Sequence, residues 1–151
     1  HHTQYNCGYE FSKDKRYAES EVVLREIGDP HVQGPANTFI YAVVLYNLNR
    51  CPEAMELIQE AYKVVEVKQR TDQGPRAEKL NRAHSNLKIA ESYCIDDFAE
   101  KGKVVWEAVQ IDKTNGFAIQ QAQGMMEQFN KMQEVMKHQQ MMMQGGSMNR
   151  F

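Results

Sequence analysis

The stretch Phe39–Val65 reads FIYAVVLYNLNRCPEAMELIQEAYKVV, and its interpretation decides the fold. Two amphipathic runs meet at a short break, Asn47-Leu48-Asn49-Arg50-Cys51-Pro52. Pro52 stands just inside the second run, where its fixed φ suits a first helical turn and its missing N–H goes unused. In the first run Ala42 lies three residues before Leu45. In the second, Ala54, Ile58 and Ala61 share one stripe at spacings of four and three. Small residues on facing stripes let two helices lie close and antiparallel, so the stretch predicts an αα-hairpin.

Working outward, the same pattern occurs 34 residues earlier. Gly8 precedes Ala42 by that interval, Phe11 precedes Leu45, Ser20 precedes Ala54, Leu24 precedes Ile58 and Ile27 precedes Ala61. On these residues the chain resembles the tetratricopeptide repeat, a helix–turn–helix unit of about 34 residues. The resemblance implies an all-α, right-handed superhelical stack of about three helix hairpins, closed by a long C-terminal helix. It also implies a binding or scaffolding role without naming a partner.

The elements follow from glycine and proline punctuation. Helices are expected over 3–11 and 16–27, with a turn at 12–15, and Gly28-Asp29-Pro30 stops the second. A third runs from about Pro35 to Leu48 and a fourth from Pro52 to at least Val67. The period then slips, because Ala90 and Tyr93 stand where Ala42 and Leu45 predict residues about 14 positions earlier. Lengthened fourth and fifth helices account for the slip, with 71–75 forming a polar tip. That tip is read as a solvated loop or, alternatively, as a partner contact. The fifth helix is placed at 76–94 and the sixth at 97–110. A last helix, capped by Asn115, carries a stripe of Ala118, Ala122, Met125, Phe129, Met132 and Met136. The repeats thus fall at about 1–34, 35–68 and 76–114 in one domain over 1–143, with a capping helix over 115–143. Residues 144–151 read as a flexible tail.

Composition narrows the function classes. A formal net charge of −2 offers no nucleic-acid surface, and no apolar run reaches the roughly 18–20 residues that span a bilayer. The three cysteines, Cys7, Cys51 and Cys94, are odd in number and lack metal-site spacing. They read as reduced thiols, which places the chain in an intracellular, reducing compartment, cytosol or organelle interior. His31, His84 and His138 have no ligand partner at motif spacing, so no metal site is expected. Asp96-Asp97 and Glu19-Ser20-Glu21 read as solvated charge, and Gly-rich phosphate loops are absent. No catalytic residue, cofactor or metal is therefore expected, and the chain is read as not an enzyme.

Repeats of this family bind peptides or helices in a groove lined by the first helix of each pair. Carried over residue by residue, the resemblance implies a groove of Tyr5, Tyr9, Ser12 and Lys13, then Phe39, Val43, Tyr46 and Asn47, then His84, Leu87, Lys88, Glu91 and Cys94. Some of these residues are alternatively expected to pack on neighbouring helices. The insertion and terminal helix are similar to the repeat domains of large immunophilins and related co-chaperones, whose carboxylate clamp grips acidic chaperone tails. Here Phe39 and Val43 replace a lysine and an asparagine, Lys88 replaces a second asparagine, and Gly116 and Gln120 replace the last lysine and arginine. Such side chains cannot supply several charge-assisted bonds to a carboxylate, so clamp-type chaperone binding is not expected.

The methionine-rich end offers a second candidate face. Met125, Met132 and Met136 are expected to cover the end of the repeat stack. Met126, Met141, Met142 and Met143 lie off that stripe or near the tail, and are read as partner contacts or as disordered. The leading function is a protein–protein interaction scaffold, an accessory or structural subunit of a larger assembly. The alternative is a soluble adaptor or chaperone-like protein that binds short peptides in the groove.

Overall fold

A computed structural model of the chain describes residues 16–148. The described part is all-helical. Its helices are α1 Tyr17–Ile27, α2 Pro30–Gln33, α3 Thr38–Asn47, α4 Cys51–Gln69, α5 Pro75–Tyr93, α6 Phe98–Ile111 and α7 Gly116–Met148. The expected helix over 3–11, the turn after it and the groove residues Tyr5, Tyr9, Ser12 and Lys13 lie outside the described residues. So does Cys7.

Local chemistry explains the boundaries. The Asp97 carboxylate accepts from the Glu100 N–H and caps α6. Pro52 and Pro75 sit in the first turns of α4 and α5. Gly74, immediately before α5, takes φ +61°, a conformation that favours glycine. Two boundaries differ from the sequence reading. Asp29-Pro30, taken as a stop, also starts the short α2: Asp29 accepts from the His31 N–H and Pro30 takes the first helical position. Helix α3 begins at Thr38 rather than Pro35, because residues 35–37 form a turn. The buried Thr38 hydroxyl then donates to the Gly28 carbonyl at 2.9 Å.

The lengthened pair is present. Helices α4 and α5 have 19 residues each, against 10 in α3 and 14 in α6. Helices adjacent in sequence pack on one another from α3 to α7. Next-but-one packing is added between α1 and α3, α3 and α5, and α5 and α7. The core falls at these junctions. Leu24, Ile27 and Val44 join α1 to α3, and Ala42, Ile58, Ala61, Val65, Leu80, Leu87 and Ala90 join α3, α4 and α5. Ile89, Val105, Ala108 and Ala118 join α5, α6 and α7. The stripe Ala54, Ile58 and Ala61 is completely buried, as its spacing predicts.

Close approach of α1 and α3 requires a glycine. A Cβ at Gly28 would lie 2.6 Å from both Cβ and Cδ2 of Tyr41. Gly28→Ala is therefore expected to destabilise the protein by about 1–3 kcal/mol through overpacking, although its φ of −81° suits alanine. Urea denaturation checks this; an unchanged midpoint would show that α1 can back away from α3 at no cost.

Buried polar groups pin the loops. Glu21, read from sequence as solvated, is only 8% exposed and pairs with Arg50 at 2.8 Å and Arg25 at 3.2 Å. Asn115, read as a helix cap, sends its amide back to α5, donating to Ser85 Oγ at 2.9 Å and Asn86 Oδ1 at 2.8 Å. The Ser85 hydroxyl in turn donates to the Ala108 carbonyl at 2.7 Å. One hydrogen-bonded chain thus ties the start of α7 to both helices beneath it.

The reading of the cysteines as reduced thiols is corrected for two of them. Cys51 and Cys94 form a disulfide across 43 residues, with their Cα atoms 5.6 Å apart. Cys51 opens α4 and Cys94 directly follows α5. Antiparallel packing of these equally long helices brings the start of one beside the end of the other.

The terminal helix also departs from expectation. It is 33 residues long and runs to Met148, through the segment read as the beginning of a flexible tail. Ala118 is buried, and Phe117, Ala122 and Met125 pack against the last core cluster. From Met126 to Gln144 every residue of α7 is exposed. Met132 and Met136, expected to cover the stack, are 50% and 60% exposed, because α7 has already passed the end of α6.

Candidate protein-interaction surfaces

Two surfaces answer to the sequence-derived sites. The first lies along α3 and α5. Phe39 and Val43 turn inward against the α3–α4–α5 core, and the Phe39 ring meets Phe117 edge-on at 5.7 Å. Leu87, also placed in the groove by the resemblance, is completely buried. Asn47 donates to the Val43 carbonyl, closing the end of its own helix. Tyr46 stays 39% exposed and tilts against Tyr93 at 5.3 Å.

His84, Lys88 and Glu91 do come together on α5. Lys88 lies 3.2 Å from Glu107 and 3.7 Å from Glu91, with its ammonium 4.7 Å from the Tyr62 ring centre. The Tyr62 hydroxyl donates to Glu91 at 2.6 Å. Burial first, and then the Glu91 carboxylate, push the Tyr62 phenol far above its ordinary range, so it remains a donor. Lys88 and Glu91 are only 19% and 15% exposed at their side chains. The lysine is thus already neutralised by two carboxylates, and an incoming peptide carboxylate would have to displace them. Tyr62 and Glu107 belong to the second helices of their hairpins, α4 and α6, outside the first-helix face that the resemblance implies as the groove.

His84 packs edge-on against Tyr62 at 5.5 Å, and its buried Nδ1 makes no hydrogen bond among the described residues. Burial, then the nearby Lys88 ammonium, lower the imidazole below its ordinary range, against the opposing pull of Glu107. The unfolded chain therefore binds more protons than the folded one between the lowered value and about 6.5. Stability from this group is complete above about pH 6.5 and declines as pH falls through that window. The midpoint of thermal unfolding should drop between pH 7.5 and 5, and His84→Gln should flatten the drop. An equal slope in wild type and variant would remove His84 as its source.

The second surface is apolar. An open groove of about 830 Å³ lies between α6 and α7, with Phe98, Trp106 and Val109 on one wall and Ala122, Met126 and Phe129 on the other. Trp106 is 61% exposed, Met126 59% and Phe129 43%. Beyond the groove, α7 carries Met132, Val135, Met136, Met141, Met142 and Met143 into solvent, each at least half exposed. Of the foreseen contacts, Met126 lies in the groove and Met141 to Met143 lie far along the same helix. Trp106, one position off the buried stripe of α6, was the available sign of this surface. A large aromatic beside a stripe marks its edge, and here that edge is uncovered.

Among the described residues no helix is long and apolar enough to cross a membrane, and no three His, Cys, Asp or Glu side chains are grouped to hold a metal ion. The chain is an all-α protein whose most conspicuous feature is an exposed apolar helix face. Comparison with protein-family models, curated proteins and solved structures finds no match to it.

Proposed function

We propose that this chain is a non-catalytic protein-interaction scaffold, an accessory or structural subunit of a larger assembly, built as a tetratricopeptide-type stack of helix hairpins. The repeat reading is supported by the 34-residue marker spacing and by the packing of α3 on α5 and α5 on α7. The observation that carries the functional reading is the apolar face of α6 and α7. Large apolar side chains exposed together, as Trp106, Met126 and Phe129 are here, mark an interaction site or an aggregation hazard. Clustered methionines suit such a contact because their flexible, polarisable side chains adapt to a partner.

The adaptor alternative has less behind it. Its groove keeps an exposed Tyr46 beside Tyr93, but Phe39, Val43, Leu87 and Lys88 are engaged internally. The expectation of a reducing compartment rested on free thiols and loses that support with the Cys51–Cys94 bond, since disulfides persist in oxidising surroundings.

A pull-down from the native source, washed at low and then high salt, tests the proposal. Apolar contacts resist salt, whereas exposed charge contacts are screened. The expected result is a fixed stoichiometric set of proteins that survives high salt and is lost with Trp106→Glu. Recovery of substoichiometric partners that wash away, and that depend on Tyr46 rather than Trp106, would replace the scaffold with the adaptor.

A further inference from the structure

Along α7, Phe129, Met132, Met136 and Met143 continue the alternating spacing of four and three set by Ala118, Ala122 and Met125, with Gln139 at the one intervening place. That is the 3.5-residue seam of a coiled coil. It starts inside the protein, where Ala118 is buried, and emerges after Met125, with Phe129, Met132 and Met136 between 43% and 60% exposed. The positions flanking the exposed seam are Met126, Gln128, Gln133, Val135, Gln140 and Met142, all uncharged. The charged residues of this part of the helix, Glu127, Lys131, Glu134 and Lys137, fall on the opposite side. The segment therefore presents one broad uncharged face and one charged face.

We infer that this face pairs with the α7 helix of a second copy of the chain, antiparallel, to form a homodimer. The inference rests on reading the α6–α7 face as a protein-interaction surface. Three observations select this occupant. First, a heterologous helix is ordinarily chosen by charges flanking the seam, and here there are none to choose with. Glutamine amides both donate and accept, so Gln133 can pair with the same residue of a two-fold-related copy. Second, Met126, Phe129, Met132, Val135, Met136 and Met142 are each between 43% and 65% exposed. With the groove walls they offer apolar area on the order of the ~800 Å² per partner that a stable interface needs.

Third, the direction follows from the groove. In an antiparallel seam centred near Glu134, Met132 meets Met136 of the second copy. Phe129 meets its Gln139, and Met125 and Met126 meet the region around its Met142. The methionine-rich tip of each helix then enters the groove beside Trp106 at the base of the other. One arrangement thus covers the seam and fills both grooves. A parallel pair would set the two α6 helices against each other and leave the tips together.

The test is the mass of the purified full chain by light scattering across a dilution series, read against the 17.5 kDa of one copy. A dimer is expected, with Met132→Glu combined with Met136→Glu weakening it at least about tenfold, or about 1.4 kcal/mol. Glutamate is a good helix former at these exposed sites, so the circular dichroism should be retained. Direction is read in a Cys7→Ser background. Met126→Cys mixed with Gln140→Cys should cross-link under oxidation, and Met126→Cys alone should not. A monomer at every concentration, a dimer indifferent to the double substitution, or self-cross-linking of Met126→Cys would each overturn the inference. A monomer that still retains a fixed partner set would leave the scaffold reading intact and end this one. A dimer that recovers no other protein would do the reverse.

Discussion

Reduction of the Cys51–Cys94 bond is expected to remove about 4 kcal/mol of stability. The bond closes a loop of 43 residues, and the unfolded chain gains the entropy of that loop once it opens. The folded state has little to gain from the break. Cys51 and Cys94 are held beside each other by the α4–α5 packing, with Ala54, Ile58 and Leu87 buried along it. Helix content should therefore survive reduction while the urea midpoint falls. The slope with urea should steepen, because a chain without the cross-link exposes more surface on unfolding. The Cys51→Ser, Cys94→Ser double variant should match the reduced protein and show no response to reductant. A midpoint unmoved by both treatments would mean that the two thiols are not joined in solution.

Leu87→Ala carries the next largest effect, a loss of about 2–5 kcal/mol. Leu87 is completely buried near the middle of α5, the helix that packs on α3, α4, α6 and α7. It belongs to the cluster with Ala42, Ile58 and Ala61, where small alanines face it from the neighbouring helices. Little can move in to fill the space, so a cavity persists and adds to the lost transfer free energy. Against a typical total of about 5–15 kcal/mol, such a loss leaves a marginal fold. Val67→Ala supplies the comparison: Val67 is 61% exposed on the neighbouring helix, and its change should stay within about 0.5 kcal/mol. Equal midpoints for the two variants would contradict the packing of α5 at the centre of the stack.

These two expectations differ in how far the sequence alone reaches them. Burial of Ala54, Ile58 and Ala61 is legible because a helix repeats every 3.6 residues, so spacing identifies a shared face. The boundaries near Pro52 and Pro75 are legible because proline acts on the turn that contains it, whereas Asp97, read as solvated charge, shows its capping role only in the structure. The lengthened α4 and α5 follow from the slipped marker residues Ala90 and Tyr93. All of these are local signals, carried over a few turns of chain.

The Cys51–Cys94 bond, the ion pair of Lys88 with Glu107 and the anchoring of Asn115 on Ser85 join residues from different helices. Which helix lies across from which is decided by packing, and no local period encodes it. The same holds for the groove set, some of which is alternatively expected to pack on neighbouring helices. Position on the first helix of a hairpin suggests Phe39, Val43 and Leu87 as groove walls, but Leu87 is buried in the core and Phe39 and Val43 pack, half-buried, against it. The stripe on α7 teaches the complementary point. Its spacing determines that Ala118, Ala122, Met125, Phe129, Met132 and Met136 share a face. Only the tertiary structure decides that the first three meet the body while the rest extend past it, because periodicity orients side chains around an axis and the length of the neighbouring helix sets how far they are covered.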